Sequence, residues 1–178
     1  MIDDSKSWVK KAGLTMQIQV KLDKGYLPDE YAKYASVKEA DNPVVSFPFT
    51  LTGLPEGSKY LAWSLVDYDS IPVCGFAWIH WLASDVPAVS EIPADFSRTT
   101  NTPQGYNSTV SRFLNDPEEV HTGYIGPTPP DKDHDYRFRV YALSEKLDLE
   151  QPYYYNEFLR ALKGKVLAES QLDLPARV

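Results

Sequence analysis

Four short segments of the 178-residue chain carry acidic, imidazole and aromatic side chains of the kind that form binding or catalytic sites. They are DYDSIP with Asp67 and Asp69, FAWIHW with Trp78 and His80, HTGYIGP with His121 and Tyr124, and HDYRF with His134 and Tyr136. Alternate residues of a strand share a face, so Phe76, Trp78, His80 and Leu82 are expected on one side, and His134 is expected beside Tyr136. Imidazoles near a carboxylate can bind an anion or transfer a proton, and the residues alone leave both functions open.

Asp67 and Asp69 follow a buried apolar run and are expected at the mouth of a strand, where a rigid sheet can hold polar groups around a ligand. A second interpretation is structural. A single histidine in a strand is often a hydrogen-bonded core residue, and an aspartate before a proline-containing turn often caps that turn. Spacing alone does not choose between these interpretations.

Other chemistries are less well supported by the sequence. A zinc site would need His80, His121 and His134, whose separations match no helical or knuckle pattern. A hydrolase could use Ser70, His80 and Asp67, although Ser70 lies in the same turn as Asp67 and nothing marks an oxyanion hole. We therefore predict no metal and no cofactor, and a hydrolase or other enzyme remains an alternative to a binding protein.

The pattern of the chain predicts a mainly β protein, because its 14 prolines and 9 glycines are spread between short apolar and alternating runs. Strands are predicted in segments 16–22, 44–54, 54–67, 76–83 and 136–143, and one helix is predicted over 156–170 behind Asn156 as its N-cap. Pro48 predicts an edge or a bulge in the second strand. Segment 94–125 shows little periodicity and is predicted to be a long loop, which is usually functional or disordered.

Composition limits the class of protein. We predict a single domain over 1–178, and the net charge of −7 with a sequence pI near 4.9 disfavours a nucleic-acid partner. Cys74 is the only cysteine, which excludes an internal disulfide, and it is expected to be a small, partly buried apolar residue. The first 14 residues lack the apolar stretch of a secretory signal, and no window is long enough for a transmembrane segment, so we expect a cytoplasmic protein.

Taken together, DYDSIP, FAWIHW, YIGPTPP followed by HDYRFRVYAL, and LRALKGKVLAESQL resemble the phosphatidylethanolamine-binding protein family, in particular its bacterial Raf-kinase-inhibitor-like branch. The resemblance extends over about positions 45–174, and the combination of segments is more specific than any one of them. The chain departs from the family pattern at four positions in the turn and at the rim of the expected site: Tyr68, Ile71, Thr128 and Asp135.

The resemblance implies an antiparallel β-sandwich with one C-terminal helix, short peripheral helices and a small cavity that accepts phosphate or a phosphorylated head group. The ligand-binding residues that it implies are Asp67, Trp78, His80, Gly126, Pro129, Pro130, His134 and Tyr136. In this interpretation the prolines fix a wall of the cavity because their φ angles are already set. The implied function is non-enzymatic binding of a phosphate-like anion or phospholipid head group, with modulation of a protein partner as a further role and a homodimer left open.

A buried carboxylate constrains the ligand. An ionised Asp67 about 4 Å from a phosphate oxygen would cost about 4 kcal/mol at an effective dielectric near 20. Either His80 or His134 is therefore an imidazolium between them, or Asp67 meets a cation on the ligand. We expect anion affinity to rise as the pH falls from about 7.5 to 5.5.

A carbohydrate-binding β-sandwich is the second alternative function. It would need exposed aromatic rings, whereas Trp63, Trp78 and Trp81 lie in apolar runs that favour the core.

Overall fold

Nine strands and three short helices form the regular structure in the computed structural model, which describes residues 15–114 and 120–178. The strands are β1 (Gln17–Gln19), β2 (Lys38–Glu39), β3 (Asn42–Pro43), β4 (Phe49–Thr52), β5 (Tyr60–Asp67), β6 (Trp78–Pro87), β7 (Glu91–Ile92), β8 (His134–Leu143) and β9 (Val166–Ala176). The helices are α1 (Ile71–Cys74), α2 (Phe96–Thr99) and α3 (Tyr155–Ala161), with single 3-10 turns at Asp29–Tyr31 and Ser108–Val110.

The larger sheet has the order β6-β5-β8-β9, and all its neighbours are antiparallel. Strand β5 lies inside this sheet, and seven of its eight residues are buried, as expected of a strand covered on both faces. The predicted strands at 54–67, 76–83 and 136–143 are therefore confirmed in type, with β6 extending further along the chain than expected.

A smaller sheet, ordered β1-β4-β7, packs over one face of the larger sheet, while β2 and β3 form a separate hairpin. The main hydrophobic core unites both sheets, with Phe49 and Leu51 of β4 in the same cluster as Trp63 of β5 and Phe138 of β8. The ring of Phe49 meets those of Trp63 and Phe138 edge to face at 5.3 and 4.9 Å. Such pairs add about 0.5–1.5 kcal/mol beyond the burial of their area.

Helix α3 covers the opposite face of the larger sheet. Phe158 and Leu162 pack there with Ala62, Leu82 and Leu143 in a second buried cluster. The alternation predicted for β8 is confirmed, since Tyr136, Phe138, Val140 and Ala142 all belong to the main core and Tyr141 and Leu143 belong to the helix side. The fold is thus the expected mainly β, antiparallel sandwich with short helices.

The predicted helix over 156–170 is wrong in its second half and at its N-cap, which is Tyr154 and not Asn156. Helix α3 ends at Ala161, Gly164 adopts a left-handed backbone at φ 77°, and Val166–Ala176 forms the edge strand β9. Gly164 supplies the positive φ that stops a helix at little steric cost. Ten residue pairs then join β9 to β8, from Leu143↔Val166 to His134↔Ala176, and this long-range pairing outweighs the local helical spacing.

Two other expectations are corrected. Pro48 lies just before β4, and β4 is no edge strand because it pairs with both β1 and β7. Segment 94–125 includes helix α2, a 3-10 turn and buried residues such as Asn107 and Tyr124, although residues 115–119 within it lie outside the described part of the chain.

The N-terminal segment 1–14, on which the expectation about a signal sequence was based, also lies outside the described residues. Within the described ranges, no helix is both long enough and apolar enough to cross a membrane.

Candidate functional site

A cavity of about 170 Å³ opens where β5 ends and β6 and β8 begin. Asp67 is the last residue of β5, and it pairs across the sheet with Trp78 on one side and Tyr136 on the other. The antiparallel order therefore brings three segments that are distant in the chain to one edge. The cavity is lined by Asn42, Asp67, Ser70, Val73, Cys74, Trp78, His80, Ile125, Thr128, Pro130, His134 and Tyr136.

His134 lies between two carboxylates. Its Nδ1 is 2.7 Å from Oδ2 of the buried Asp67, and its Nε2 is 2.9 Å from Oδ1 of the half-exposed Asp131. Because carboxylates accept hydrogen bonds, both ring nitrogens donate and the ring is an imidazolium. Burial alone would lower the pKa of His134, but the hydrogen bonds and negative charges of Asp67 and Asp131 outweigh it and raise that pKa.

A second interaction holds Asp67. Its Oδ1 accepts a hydrogen bond from the backbone N–H of Ser70 at 3.1 Å, so the carboxylate caps the turn as well as facing His134. The hydrogen bond from His134 also lowers the pKa of Asp131. The positive charge of His134 is therefore shared between two acidic side chains and is not directed at the cavity.

His80 is placed by a bulge in β6. The pairing shifts between Leu65↔Trp81 and Val66↔Ile79, so His80 is the extra residue on its strand. Trp81 packs in the core between the sheets. The ring of His80 contacts the ring of Tyr136, which belongs to the same core, in an edge-to-face arrangement with centroids 5.0 Å apart. The expected alternation fails beyond this point, because Leu82 lies in the helix-side cluster.

His80 is neutral. Its Nδ1 lies 2.9 Å from the carbonyl oxygen of Ile125 and must donate to it, so the lone pair is on Nε2. Burial lowers the pKa of His80 to about 4, with the charge of His134 acting in the same direction and the Ile125 bond and Asp67 opposing it. No hydrogen bond to Nε2 is formed by the described residues, and His80 is one of the residues that line the cavity.

Two aromatic rings complete the walls. The half-buried Trp78 stacks on Phe76 with centroids 5.7 Å apart, and Tyr136 is buried beside Asp67. Burial raises the pKa of the Tyr136 phenol well above its usual range, and the charge of Asp67 adds to this effect. Tyr136 is therefore a neutral hydroxyl at every physiological pH.

Six of the eight predicted ligand-binding residues line the cavity: Asp67, Trp78, His80, Pro130, His134 and Tyr136. Gly126 and Pro129 do not. The backbone N–H of Gly126 bonds to the carbonyl oxygen of Pro43, and the carbonyl oxygen of Pro129 accepts from Lys33. These two residues hold the loop in place behind the wall that Pro130 forms.

Sequence reasoning did not assign two residues to the site: Asp131, which contacts the lining residue His134, and Cys74, which lines the cavity. Asp131 was missed although it lies three residues before His134, a spacing at which its partner could have been recognised. Cys74 was expected to be partly buried and is exposed at the cavity wall, because the short helix α1 buries none of its residues. His121 lies in a separate network with Thr109.

Replacing Gly126 with alanine is expected to destabilise the protein by about 1–3 kcal/mol. The added Cβ would lie 2.5 Å from the carbonyl oxygen of Tyr31 and 2.7 Å from Cβ of Pro43, so the loop would have to move. Denaturant unfolding would measure the cost, and the imidazole resonances of His80 would report displacement of the neighbouring Ile125. Gly25→Ala is the control for the resonances only: its new methyl group meets nothing within 4 Å and should leave them in place, although its φ of 87° makes alanine costly there as well.

The alternative functions find little support in this geometry. The hydroxyl of Ser70 shares its one proton between the backbone oxygens of Asp67 and Phe76 and accepts from the N–H of Trp78, so no Ser70–His80 dyad is formed. Trp63 and Trp81 are fully buried and cannot serve as sugar platforms, whereas Trp78, which was also expected in the core, is half-buried at the cavity. Across residues 15–114 and 120–178, no three His, Cys, Asp or Glu side chains are grouped so as to hold a metal ion.

Comparison with known proteins gives one family. The family model described as phosphatidylethanolamine-binding protein matches residues 17–176. The protein YxkA of Bacillus subtilis is 47% identical over 160 residues, covering 86% of this chain and 95% of that protein. A UPF0098 protein of Methanothermobacter thermautotrophicus is 31% identical over 155 residues, covering 84% of this chain and 89% of that protein.

Two solved structures share the fold. One is described as a putative phosphatidylethanolamine-binding protein homologue, CT736 of Chlamydia trachomatis, and superposes with a TM-score of 0.74 at 24% identity, covering 92% of this chain and 98% of that one. YbcL of Escherichia coli has a TM-score of 0.71 at 23% identity and covers 93% and 99%, respectively. At these identities the likeness concerns the fold alone.

Proposed function

The chain belongs to the phosphatidylethanolamine-binding protein family, a family of ligand-binding proteins, and we propose that its cavity binds a phosphate monoester group in the monoanionic form. The group is either a small molecule by itself or the head group of a larger one. The observation that carries this proposal is the neutral His80, whose Nε2 is an unpartnered acceptor beside the Asp67–His134 pair.

The size of the cavity supports a small ligand group. Its volume of about 170 Å³ gives space for several water-sized groups and hence for a phosphate. It is well below the roughly 300–1,000 Å³ of pockets that enclose drug-sized ligands. A larger phosphorylated molecule would therefore place only its head group inside.

The charges favour the monoanion over the dianion. The two N–H groups of His134 are directed at Asp67 and Asp131, and His80 carries no proton to donate from Nε2. A dianion would face the Asp67 carboxylate without a free cationic donor, which is costly at short range. A monoanion carries one P–O–H group, which can donate to Nε2 of His80 while its charge is half that of the dianion.

We expect ethyl phosphate to bind about twentyfold more tightly at pH 5.5 than at pH 7.5, because a phosphate monoester dianion takes up one proton near pH 6 and becomes the monoanion. The proton is gained by the ligand, since His80 titrates at about pH 4. Isothermal titration calorimetry at the two pH values would measure the difference. Ethyl sulfate has a similar shape but no proton to donate, and it is expected to bind weakly at both pH values.

His80→Asn tests the assigned acceptor. The asparagine amide can still donate to Ile125, but its short side chain does not reach the position of Nε2. We expect ethyl phosphate affinity at pH 5.5 to fall by about tenfold to a hundredfold, the range for losing a hydrogen bond to a charged group. His121→Asn, outside the cavity, is the matched control. Equal affinity for ethyl sulfate, tighter binding at pH 7.5, or binding of ethanolamine in place of ethyl phosphate would each contradict the proposal.

A further inference from the structure

The two edges of the larger sheet differ in how they are covered. Along β6, neighbouring loops hydrogen-bond to backbone groups of His80, Leu82 and Ser84. Along β9, the one such bond that the described residues form is at Pro175, whose carbonyl oxygen accepts from the N–H of Leu27 at 2.8 Å. The outer side of β9 is therefore open over most of its length.

Unpaired backbone groups point outward along this open stretch. The backbone groups of alternate residues point to the same side of a strand, and the carbonyl oxygen of Pro175 points away from β8. The N–H and C=O groups of Glu169, Gln171 and Asp173 therefore point the same way, and nothing in the described part of the chain hydrogen-bonds to them there. Between residues 168 and 174 there is no proline, bulge or inward-facing charge, which are the usual protections of an edge strand.

The core-facing side chains of this stretch are also incompletely covered. Ala168 and Leu172 pack against the main core with Ser170 between them, yet all three are only half-buried. Phe138 and Val140 of the neighbouring strand β8 face the same core and are fully buried. Because the core lies under both strands, the difference comes from the missing neighbour on the outer side of β9. A further strand there would remove more apolar surface from water.

We propose that β9 is an interaction surface for a second copy of this chain, which adds its own β9 in antiparallel orientation about a twofold axis at Ser170. The larger sheets of the two protomers become one continuous sheet. An axis at Glu169 would place this residue opposite itself, and an axis at Gln171 would place Glu169 opposite Asp173, so both arrangements oppose like charges. With the axis at Ser170, Glu169 lies opposite Gln171 of the second copy, and no two carboxylates are directly opposed.

The charges beside this edge favour a second copy. Nε of the half-buried Arg139 donates to Oε1 of Gln171 at 3.1 Å, but Arg139 forms no ion pair with a carboxylate of the described residues, whereas Arg137 pairs with Asp173. In the proposed register, Glu169 of the second copy lies across Gln171 from Arg139, about 10 Å away between Cα atoms, or two strand spacings. An arginine and a glutamate side chain can span this distance, and the twofold axis gives two such pairs. An unrelated extended peptide offers neither of them.

Cysteine cross-linking would locate the axis, with the full chain and Cys74→Ser as the background. At the axis, the two copies of residue 170 form a non-hydrogen-bonded pair with Cα atoms about 4.5 Å apart, which suits a disulfide. Under mild oxidation by air, Ser170→Cys should therefore give a covalent dimer about tenfold faster than Glu169→Cys or Gln171→Cys alone. An equimolar mixture of the last two variants should also cross-link, because these residues oppose each other. Glu145→Cys, exposed and outside β9, is the control for random collision, and non-reducing electrophoresis is the readout.

Sedimentation equilibrium would measure the association without any cysteine substitution. We expect the wild-type chain to form a reversible dimer, and Ser170→Lys, which places a charge on the core-facing side of the edge, to weaken it about tenfold or more. Arg139→Glu and Glu169→Arg should each weaken the dimer about threefold to tenfold, and combined they should restore it, because each pair is then re-formed with its charges exchanged. Glu145→Arg should leave the association unchanged. Far-UV circular dichroism checks that each variant is folded.

The outcomes decide both the surface and the register. A monomer at every protein concentration, or a Ser170→Cys variant that cross-links no faster than Glu145→Cys, overturns the inference and leaves the edge to an extended segment of another protein. Faster cross-linking of Glu169→Cys or Gln171→Cys alone overturns the register, and a dimer that Ser170→Lys does not weaken overturns β9 as its site. No residue of β9 lines the cavity, so these results do not depend on whether ethyl phosphate binds.

Discussion

Asp67→Asn is expected to lower the free energy of unfolding by about 3–5 kcal/mol at pH 6, the usual cost of removing one partner of a buried ion pair. The carboxylate is only 3% exposed and accepts from Nδ1 of the fully buried His134 at 2.7 Å. An amide at this position can still accept from the backbone of Ser70 through its oxygen, but it leaves the imidazolium without its buried counter-charge. Denaturant unfolding of both proteins would give the difference.

The loss of unfolding free energy caused by Asp67→Asn should depend on pH, and the raised pKa of His134 determines the direction of that dependence. This pKa is raised in the folded protein, so the ion pair contributes fully below the unfolded value of about 6.5 and its contribution is lost as the pH rises through the folded value. The cost of Asp67→Asn should therefore shrink as the pH rises through the folded pKa of His134, above which His134 is neutral in both states.

Asp69→Asn makes the same chemical change two residues away and serves as the control. Asp69 accepts from the backbone N–H of Asp135 and does not contact His134, and an amide oxygen can replace its acceptor. Its cost should stay below about 1 kcal/mol and vary little with pH. A pH-independent cost of Asp67→Asn, or equal costs at both positions, would show that the Asp67–His134 ion pair does not stabilise the fold as argued.

The parts of the fold that the sequence predicted well are those in which local pattern and tertiary environment agree. The alternation of β8 from Tyr136 to Ala142 matches its packing on the main core, and the long apolar run of β5 matches its position between two layers. In both cases the sequence pattern of the single strand is enough to predict which of its faces are buried, because each face meets a continuous apolar layer.

The C-terminal region shows where this reasoning fails. Phe158, Leu162 and Val166 follow helical spacing, yet Val166 begins a strand. Segment 166–176 also alternates, with its odd-numbered residues from Leu167 to Asp173 exposed, so two periods overlap at the boundary. Pairing with β8 selects strand over helix for this segment. Because β8 lies more than twenty residues earlier, the local sequence does not indicate this pairing.

The residues around the cavity were predicted better than their protonation states. Spacing alone left a shared site open, and it was the resemblance to the family that placed Asp67, Trp78, His134 and Tyr136 in one cavity, which these four residues line in the structure. Two features of His80 depend on tertiary contacts. One is the bulge that directs its ring toward Tyr136, and the other is the carbonyl of Ile125 that fixes its tautomer. The sequence left two ways to offset the charge of Asp67, an imidazolium facing an anion or a cation on the ligand, and the first does not fit the geometry, since His80 is neutral and His134 has Asp131 on its other side.

The buried, neutral His80 should make the protein labile to acid. Its pKa falls from 6.5 to about 4 on folding, so the unfolded chain binds more protons between these values. Stability is therefore lost as the pH falls from about 6.5 to 4, and the pKa difference corresponds to about 3 kcal/mol at the lower end. This sign is opposite to that of His134, whose contribution is lost as the pH rises.

His80→Asn separates this contribution from the carboxylates that also titrate in acid. At about pH 7.5 the variant should be less stable than the wild type, because a well-packed ring has been truncated beside Tyr136. Between about pH 7.5 and 4 the wild type should lose about 3 kcal/mol more than the variant, which has no group to protonate at this position. His121→Asn removes a histidine outside the cavity and should keep the wild-type dependence. If wild type and His80→Asn lost the same stability as the pH falls, the His80 imidazole would take up its proton without unfolding the site. His80 would then not be the neutral acceptor on which the proposed ligand selection depends.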